Sequence, residues 1–175
     1  NENRHLEITM NRKHIVLPTV TAEFYDNIAY IKISSFNQAT AASMEKELKK
    51  IRQMNTNKFK GLIIDLRGNP GGLLKQSVKV ADLVLTDGNI VSTLGRHPDS
   101  LRNYEASGAD LTNGWPIVVL VDGKTASASE IVAAALQDLN RAVVVGTSSF
   151  GKGTVQTVIR LPNNGEINLT WSRFI

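Results

Sequence analysis

The 175-residue chain contains no cysteine. That excludes disulfides, a thiol nucleophile and thiolate-bound zinc, and it suits either a reducing cytoplasm or an envelope protein built without thiols. Histidine is nearly as scarce. His5, His14 and His97 are scattered and match no H-E-x-x-H pattern, which leaves little support for a zinc hydrolase or a histidine-based triad. Aromatic residues make up only 6% and are not interleaved with basic ones, so the net charge of +4 does not read as a nucleic-acid surface. The densest basic group, Lys49, Lys50, Arg52, Lys58 and Lys60, lies around the end of a predicted helix, where cations favour the carbonyl end of the dipole and face water. No apolar run reaches the roughly 18 residues of a membrane span, and no signal-peptide pattern is read. The first residue is not methionine, and the chain reads as an excised fragment.

What is present is a hydrophobic content of 42%, enough for one domain with a core. Alternation predicts a strand over 28–34, and Met44, Leu48 and Ile51 have helical spacing within Thr40–Met54. Gly61–Leu66 reads as a short buried strand ending in the turn cluster Arg67-Gly-Asn-Pro-Gly-Gly72, which opens a helix over 73–85. A strand is expected at Ile90–Leu94, then a long surface loop through Asn113, then a buried strand at Ile117–Val121. A helix over Ser127–Asn140 and a strand over Arg141–Gly146 follow, and the alternation from Thr154 leads to a hairpin at Asn163-Asn164-Gly165. Leu6–Met10 and His14–Leu17 look like strands from the edge of another unit. Strands alternating with helices predict an α/β fold with β-ribbons at its C-terminal end.

Two segments carry chemistry: Val121-Asp-Gly-Lys-Thr-Ala-Ser127-Ala-Ser129-Glu130 and Phe150-Gly-Lys152-Gly-Thr-Val-Gln156. Ser127 follows a buried strand and stands where a helix begins, next to free N–H groups suited to an oxyanion. The simpler reading is an N-cap, and Thr125 or Ser129 could cap equally well, so the segment alone does not separate the three hydroxyls. Lys152 lies between two glycines, a setting that serves neither packing nor helix propensity and lets an amine enter a confined site. A lysine must be neutral to accept a proton; for a group that ordinarily titrates near pH 10.4, lowering it by about 3 units costs about 4 kcal/mol. A surface lysine in a glycine-rich turn is the competing account. Gln156 falls four residues on, the same side of an extended stretch, where its carbonyl could orient the amine. In Gly71-Gly72 consecutive N–H groups can face a cleft, although a plain strand-to-helix turn explains them too. Gly146–Lys152 matches the first seven positions of the phosphate-binding G-x-x-x-x-G-K-[ST] pattern, but Gly153 replaces the hydroxyl and the next residues alternate like a strand, which argues against nucleotide binding.

Taken together, Leu66-Arg-Gly-Asn-Pro-Gly-Gly72, Thr125-Ala-Ser-Ala-Ser-Glu130, Ala133-Ala-Ala-Leu-Gln-Asp138, Arg141-Ala-Val-Val-Val-Gly146 and Phe150-Gly-Lys-Gly-Thr-Val-Gln156 closely resemble the carboxyl-terminal processing peptidases, also called tail-specific proteases. The resemblance covers about residues 25–175. It implies a Ser–Lys serine endopeptidase on a crotonase-like spiral α/β core, acting through an acyl-enzyme and needing no metal or cofactor. It assigns the nucleophile to Ser127, the general base to Lys152 and the lysine-orienting role to Gln156. The oxyanion donors become the N–H groups of Ala128 and of one glycine of the Gly71-Gly72 pair, Gly72 being the choice. The resemblance also implies that residues 1–24 join a missing upstream PDZ domain and that the peptidase core at 25–175 continues beyond Ile175. Its substrates would be proteins or peptides with apolar C-termini. Activating adaptors, homo-oligomers and membrane association through absent segments are compatible with it, and nucleic acid is not a partner. A bacterial periplasmic or cell-envelope location is expected. The alternative is a latent or non-catalytic peptide-binding module of the same fold.

Overall fold

The computed structural model describes residues 8–11, 15–54, 59–108 and 110–175. Alternation decides the second strand, β2 (Ile28–Ile33), which buries Ala29, Ile31 and Ile33 on one face and turns Tyr30 and Lys32 to the other. It pairs in parallel with β3 (Gly61–Asp65), whose Leu62 and Ile64 continue the same buried face. The first strand, β1 (Val20–Tyr25), folds back antiparallel on β2 through a turn at Asp26 with φ 52°. β6 (Ile117–Val121) and β7 (Ala142–Gly146) extend the sheet in parallel, giving the order β1-β2-β3-β6-β7.

Helices cover the buried face. α1 (Thr40–Gln53) contributes Met44, Leu48 and Ile51 to the core, the helical spacing seen in the sequence. α2 (Leu74–Asp82) contributes Val80 and Ala81, and α3 (Ala128–Asp138) contributes Ile131, Val132, Ala135 and Leu136. A second, antiparallel sheet is built from β4 (Asn89–Leu94), β5 (Arg102–Glu105), β8 (Thr154–Arg160) and β9 (Glu166–Phe174), in the order β5-β4-β9-β8. The expected C-terminal ribbon is β8 paired with β9, turning at Asn163-Asn164-Gly165.

Two expectations need correction. The stretch through Asn113 is not loop throughout: it holds a 3-10 turn at Pro98–Ser100 and β5, which pairs with β4 through Val91↔Tyr104 and Thr93↔Arg102. Four residues with only Tyr104 partly buried are too short to show a period of two, and the partner strand supplies the order. The expected strands at Leu6–Met10 and His14–Leu17 do not form where described. Ile8–Met10 and Ile15–Leu17 have no regular structure, and Leu6, Glu7 and His14 lie outside the described residues. The strand instead begins at Val20, so the sheet takes β1 largely from the segment read as a join.

Candidate active site

Three loops leave the C-terminal ends of β3, β6 and β7, the end of an open parallel sheet where ligands are ordinarily bound. The loop after β3 is the Arg67–Gly72 turn, the loop after β6 carries Ser127, and the loop after β7 carries Lys152. Polar groups tie the loops together. The Asp122 carboxylate accepts from the N–H groups of Gly68 (3.0 Å), Lys124 (2.9 Å) and Thr125 (3.1 Å). Asn69, fully buried, donates through Nδ2 to the Ile33 carbonyl (2.8 Å), and its own carbonyl accepts from the Ala126 N–H (3.0 Å). The Phe150 N–H donates to the Thr125 carbonyl at 2.9 Å, which brings in the third loop.

The three hydroxyls that the sequence leaves equivalent differ sharply in their surroundings. Thr125 is buried and donates to the Leu66 carbonyl (2.9 Å); Ser129 is buried and donates to the Asn69 carbonyl (3.1 Å). Both protons are committed to main chain. Ser127 Oγ donates no hydrogen bond among the described residues, and Ser127 is the one of the three with a positive φ, 56°. Such a backbone is costly for a residue with a Cβ and persists only where the surroundings hold it. It also ends the turn at the first residue of α3, so the Ala128 N–H heads the helix without an intrahelical partner.

Gly71 lies directly against this turn: a Cβ there would come within 2.6 Å of the Ala126 carbonyl oxygen and 3.0 Å of both the Ala128 nitrogen and the Ser127 Cβ. The two glycines are not equivalent. The Gly71 N–H donates to Asn69 Oδ1 at 2.9 Å, and its carbonyl accepts from the Phe36 N–H at 2.9 Å. The Gly72 N–H has no hydrogen-bond partner among the described residues, and Gly72 is held against Phe36 by an isolated parallel bridge. Of the pair, Gly72 is the one whose donor is unspent.

Lys152 is partly buried and borders a cleft of about 470 Å³ floored by Ile131, Ala134 and Phe174. Among the described residues no hydrogen bond joins Lys152 Nζ to Ser127 Oγ; Glu130 links the main chains of the two residues. One Glu130 oxygen accepts from the Ser127 N–H (2.6 Å) and the Lys152 N–H (2.9 Å), and the other accepts from the Gly151 N–H (2.6 Å) and Ser149 Oγ (2.7 Å). Burial on its own raises the Glu130 carboxyl, but these donors together outweigh it and hold the group below its ordinary value. No hydrogen bond joins Gln156 to Lys152 among the described residues; the Gln156 side-chain amide donates to Thr170 Oγ1 at 2.9 Å. The even-spacing argument takes the extended stretch to start at Lys152, but β8 begins at Thr154, so Lys152 and Gly153 precede the alternation. The phosphate-loop reading also loses its frame, since Thr154 opens β8 and not a helix.

Asn69, Asp122 and Glu130 were not singled out from the sequence as site residues. Glu130 had a signal, because Ser127-x-x-Glu130 is the capping-box pattern. Asn69 and Asp122 each accept from N–H groups of their own turn, but the partners that join loops, Ile33, Ala126 and Ser129 for Asn69 and Gly68 for Asp122, are distant in sequence.

The layout sets a serine hydroxyl that donates to no main-chain group, the free N–H groups of Gly72 and Ala128 and a glycine-flanked lysine on three neighbouring loops. Residues 27–175 match peptidase family S41, and the chain belongs to that family. It is 44% identical to the carboxy-terminal-processing protease of Bartonella bacilliformis over 96% of this chain and 39% of that protein. It is 32% identical to the carboxy-terminal processing protease CtpA of Bacillus subtilis over 98% of this chain and 36% of that one. The solved photosystem II D1 C-terminal processing protease superposes with a TM-score of 0.79 at 30% identity, covering 92% of this chain and 44% of the other. The chain thus spans about two fifths of the length of these relatives.

Proposed function

We propose that the protein is a serine endopeptidase of the carboxyl-terminal processing type, cleaving proteins recognised through apolar C-terminal tails. The observation that carries the reading is the convergence of the Ser127 turn, the Gly71-Gly72 turn and the Lys152 loop, with Ser127 as the hydroxyl whose proton is not committed to main chain. Neutral Lys152 takes the Ser127 proton, and Ser127 Oγ attacks the peptide carbonyl. The N–H groups of Ala128 and Gly72 receive the developing oxyanion. Collapse expels the amine, which takes the proton from Lys152, and leaves an acyl-enzyme. Lys152 then draws a proton from water, whose attack releases the acid and regenerates Ser127. Gln156 orients the amine once the β8–β9 ribbon turns it away from Thr170.

The same reading takes the core as crotonase-like, residues 1–24 as a join from a PDZ domain, and the site of action as the bacterial envelope, most simply the periplasm. A second reading has an observation in its favour. With Gln156 bonded to Thr170 and no hydrogen bond between Lys152 Nζ and Ser127 Oγ, the site is in a latent arrangement or is a non-catalytic peptide-binding module. The test is digestion of an unfolded protein with an apolar C-terminus by the complete protein and by its Ser127→Ala and Lys152→Ala variants. Cleavage abolished in both variants is the expected result. A folded complete protein that cleaves nothing, with or without candidate activators, would leave only the binding module.

A further inference from the structure

We infer that Glu130 is a positioning residue that locks the Ser127 turn to the Lys152 loop, an assignment that rests on the Ser–Lys reading above. Besides the hydrogen bond from the Phe150 N–H to the Thr125 carbonyl, one carboxylate spans those two loops. It binds the amide of Ser127 on one side and, on the other, the amides of Gly151 and Lys152 and the hydroxyl of Ser149. Hydrogen bonds to an ionised acceptor are shorter and stronger than neutral ones, and these run from 2.6 to 2.9 Å.

The geometry has a chemical consequence for the base. A carboxylate offers about four lone-pair positions, and here each is met by a donor. None is left to bind the Lys152 ammonium, although Glu130 and Lys152 border the same cleft, and no ion pair forms between them among the described residues. Glu130 therefore holds the lysine through its main-chain N–H and not through its amine. Glutamine keeps a single acceptor oxygen and sets an NH2 group against two of the donors.

The test uses the complete protein and a peptide substrate, comparing Glu130→Gln and Ser149→Ala with Ser127→Ala. For Glu130→Gln the expected result is a fall in kcat of about a hundredfold with KM held within about threefold, the split of a group that aligns reacting atoms without touching substrate. Amide exchange at Gly151 and Lys152 should quicken at least about tenfold as the loop loosens. Ser149→Ala removes one outer donor and should lower kcat about fivefold in a protein with native melting, so the assignment remains testable even if Glu130→Gln misfolds. Both variants retaining kcat within about twofold, or losing only KM, would overturn the inference while the Ser–Lys reading stood. Ser127→Ala that still cleaves would instead overturn that reading itself.

Discussion

Gly71 leaves no room for a side chain against Ser127: a Cβ on residue 71 would lie 3.0 Å from the Ser127 Cβ and 2.6 Å from the Ala126 carbonyl oxygen. The backbone at Gly71 also has φ 100°, a region that L side chains rarely adopt. Gly71→Ala should therefore cost about 3 kcal/mol of stability, from strain and displaced backbone, and abolish cleavage. Urea unfolding and a peptide assay on the same preparation check both. A variant of native stability and activity would mean that the two turns do not meet this closely.

Asn69 links β2, the glycine turn and the serine loop through its side-chain amide and its own carbonyl. Asn69→Ala removes the side-chain share and leaves the buried Ile33 carbonyl and the Gly71 N–H without partners, a loss of about 2–3 kcal/mol. A freed Gly71 N–H should also compete for the oxyanion, so kcat is expected to fall further than stability predicts. Comparing kcat with the melting temperature of the variant separates the two effects.

Gln156 is held by Thr170 through a neutral hydrogen bond of 2.9 Å. Breaking a contact of this kind is worth about 1 kcal/mol, enough to shift an equilibrium between resting and aligned ribbons about fivefold. Thr170→Val in the complete protein should therefore raise basal cleavage by up to about that factor, and Gln156→Ala should cancel the gain. Steady-state rates of the single and double variants decide it; equal rates in Thr170→Val and the parent would rule out this restraint.

Asp65 is fully buried between the Arg67 guanidinium, which it binds through both oxygens at 3.0 and 2.8 Å, and the Tyr30 hydroxyl. Burial alone raises its carboxyl, but these donors and the Arg67 N–H hold it far below the ordinary carboxylate range. A depressed folded-state value means that the contribution to stability is complete above the unfolded value, 3.8, and is lost as the pH falls below it toward the folded value. Asp65→Asn should lower stability at pH 7 by about 3 kcal/mol and flatten the acid limb below pH 4. Melting curves from pH 2.5 to 7 would show it, and parallel acid limbs in the two proteins would exclude the assignment.

Local pattern was enough for much of this protein. Period-two burial in Ile28–Ile33, helical spacing of Met44, Leu48 and Ile51, and apolar runs at Gly61–Leu66 and Ile117–Val121 are set by which neighbours a residue meets within a few positions. The family was legible for a related reason: motifs in order and at family-like spacing accumulate specificity that no single turn has. Beyond that range, sequence carried little information. β5 owes its existence to β4, β1 to β2, and the pairing that sets Gln156 opposite Thr170 to the partner strand β9. The resemblance pointed to Ser127 and Gly72, but local sequence could not show which hydroxyl or N–H among Thr125, Ser127, Ser129, Gly71 and Gly72 already has a partner, since those partners stand as far as 60 positions away. Hydrogen-bond satisfaction is a property of the folded interior, so only the tertiary structure could say which groups were left over for chemistry.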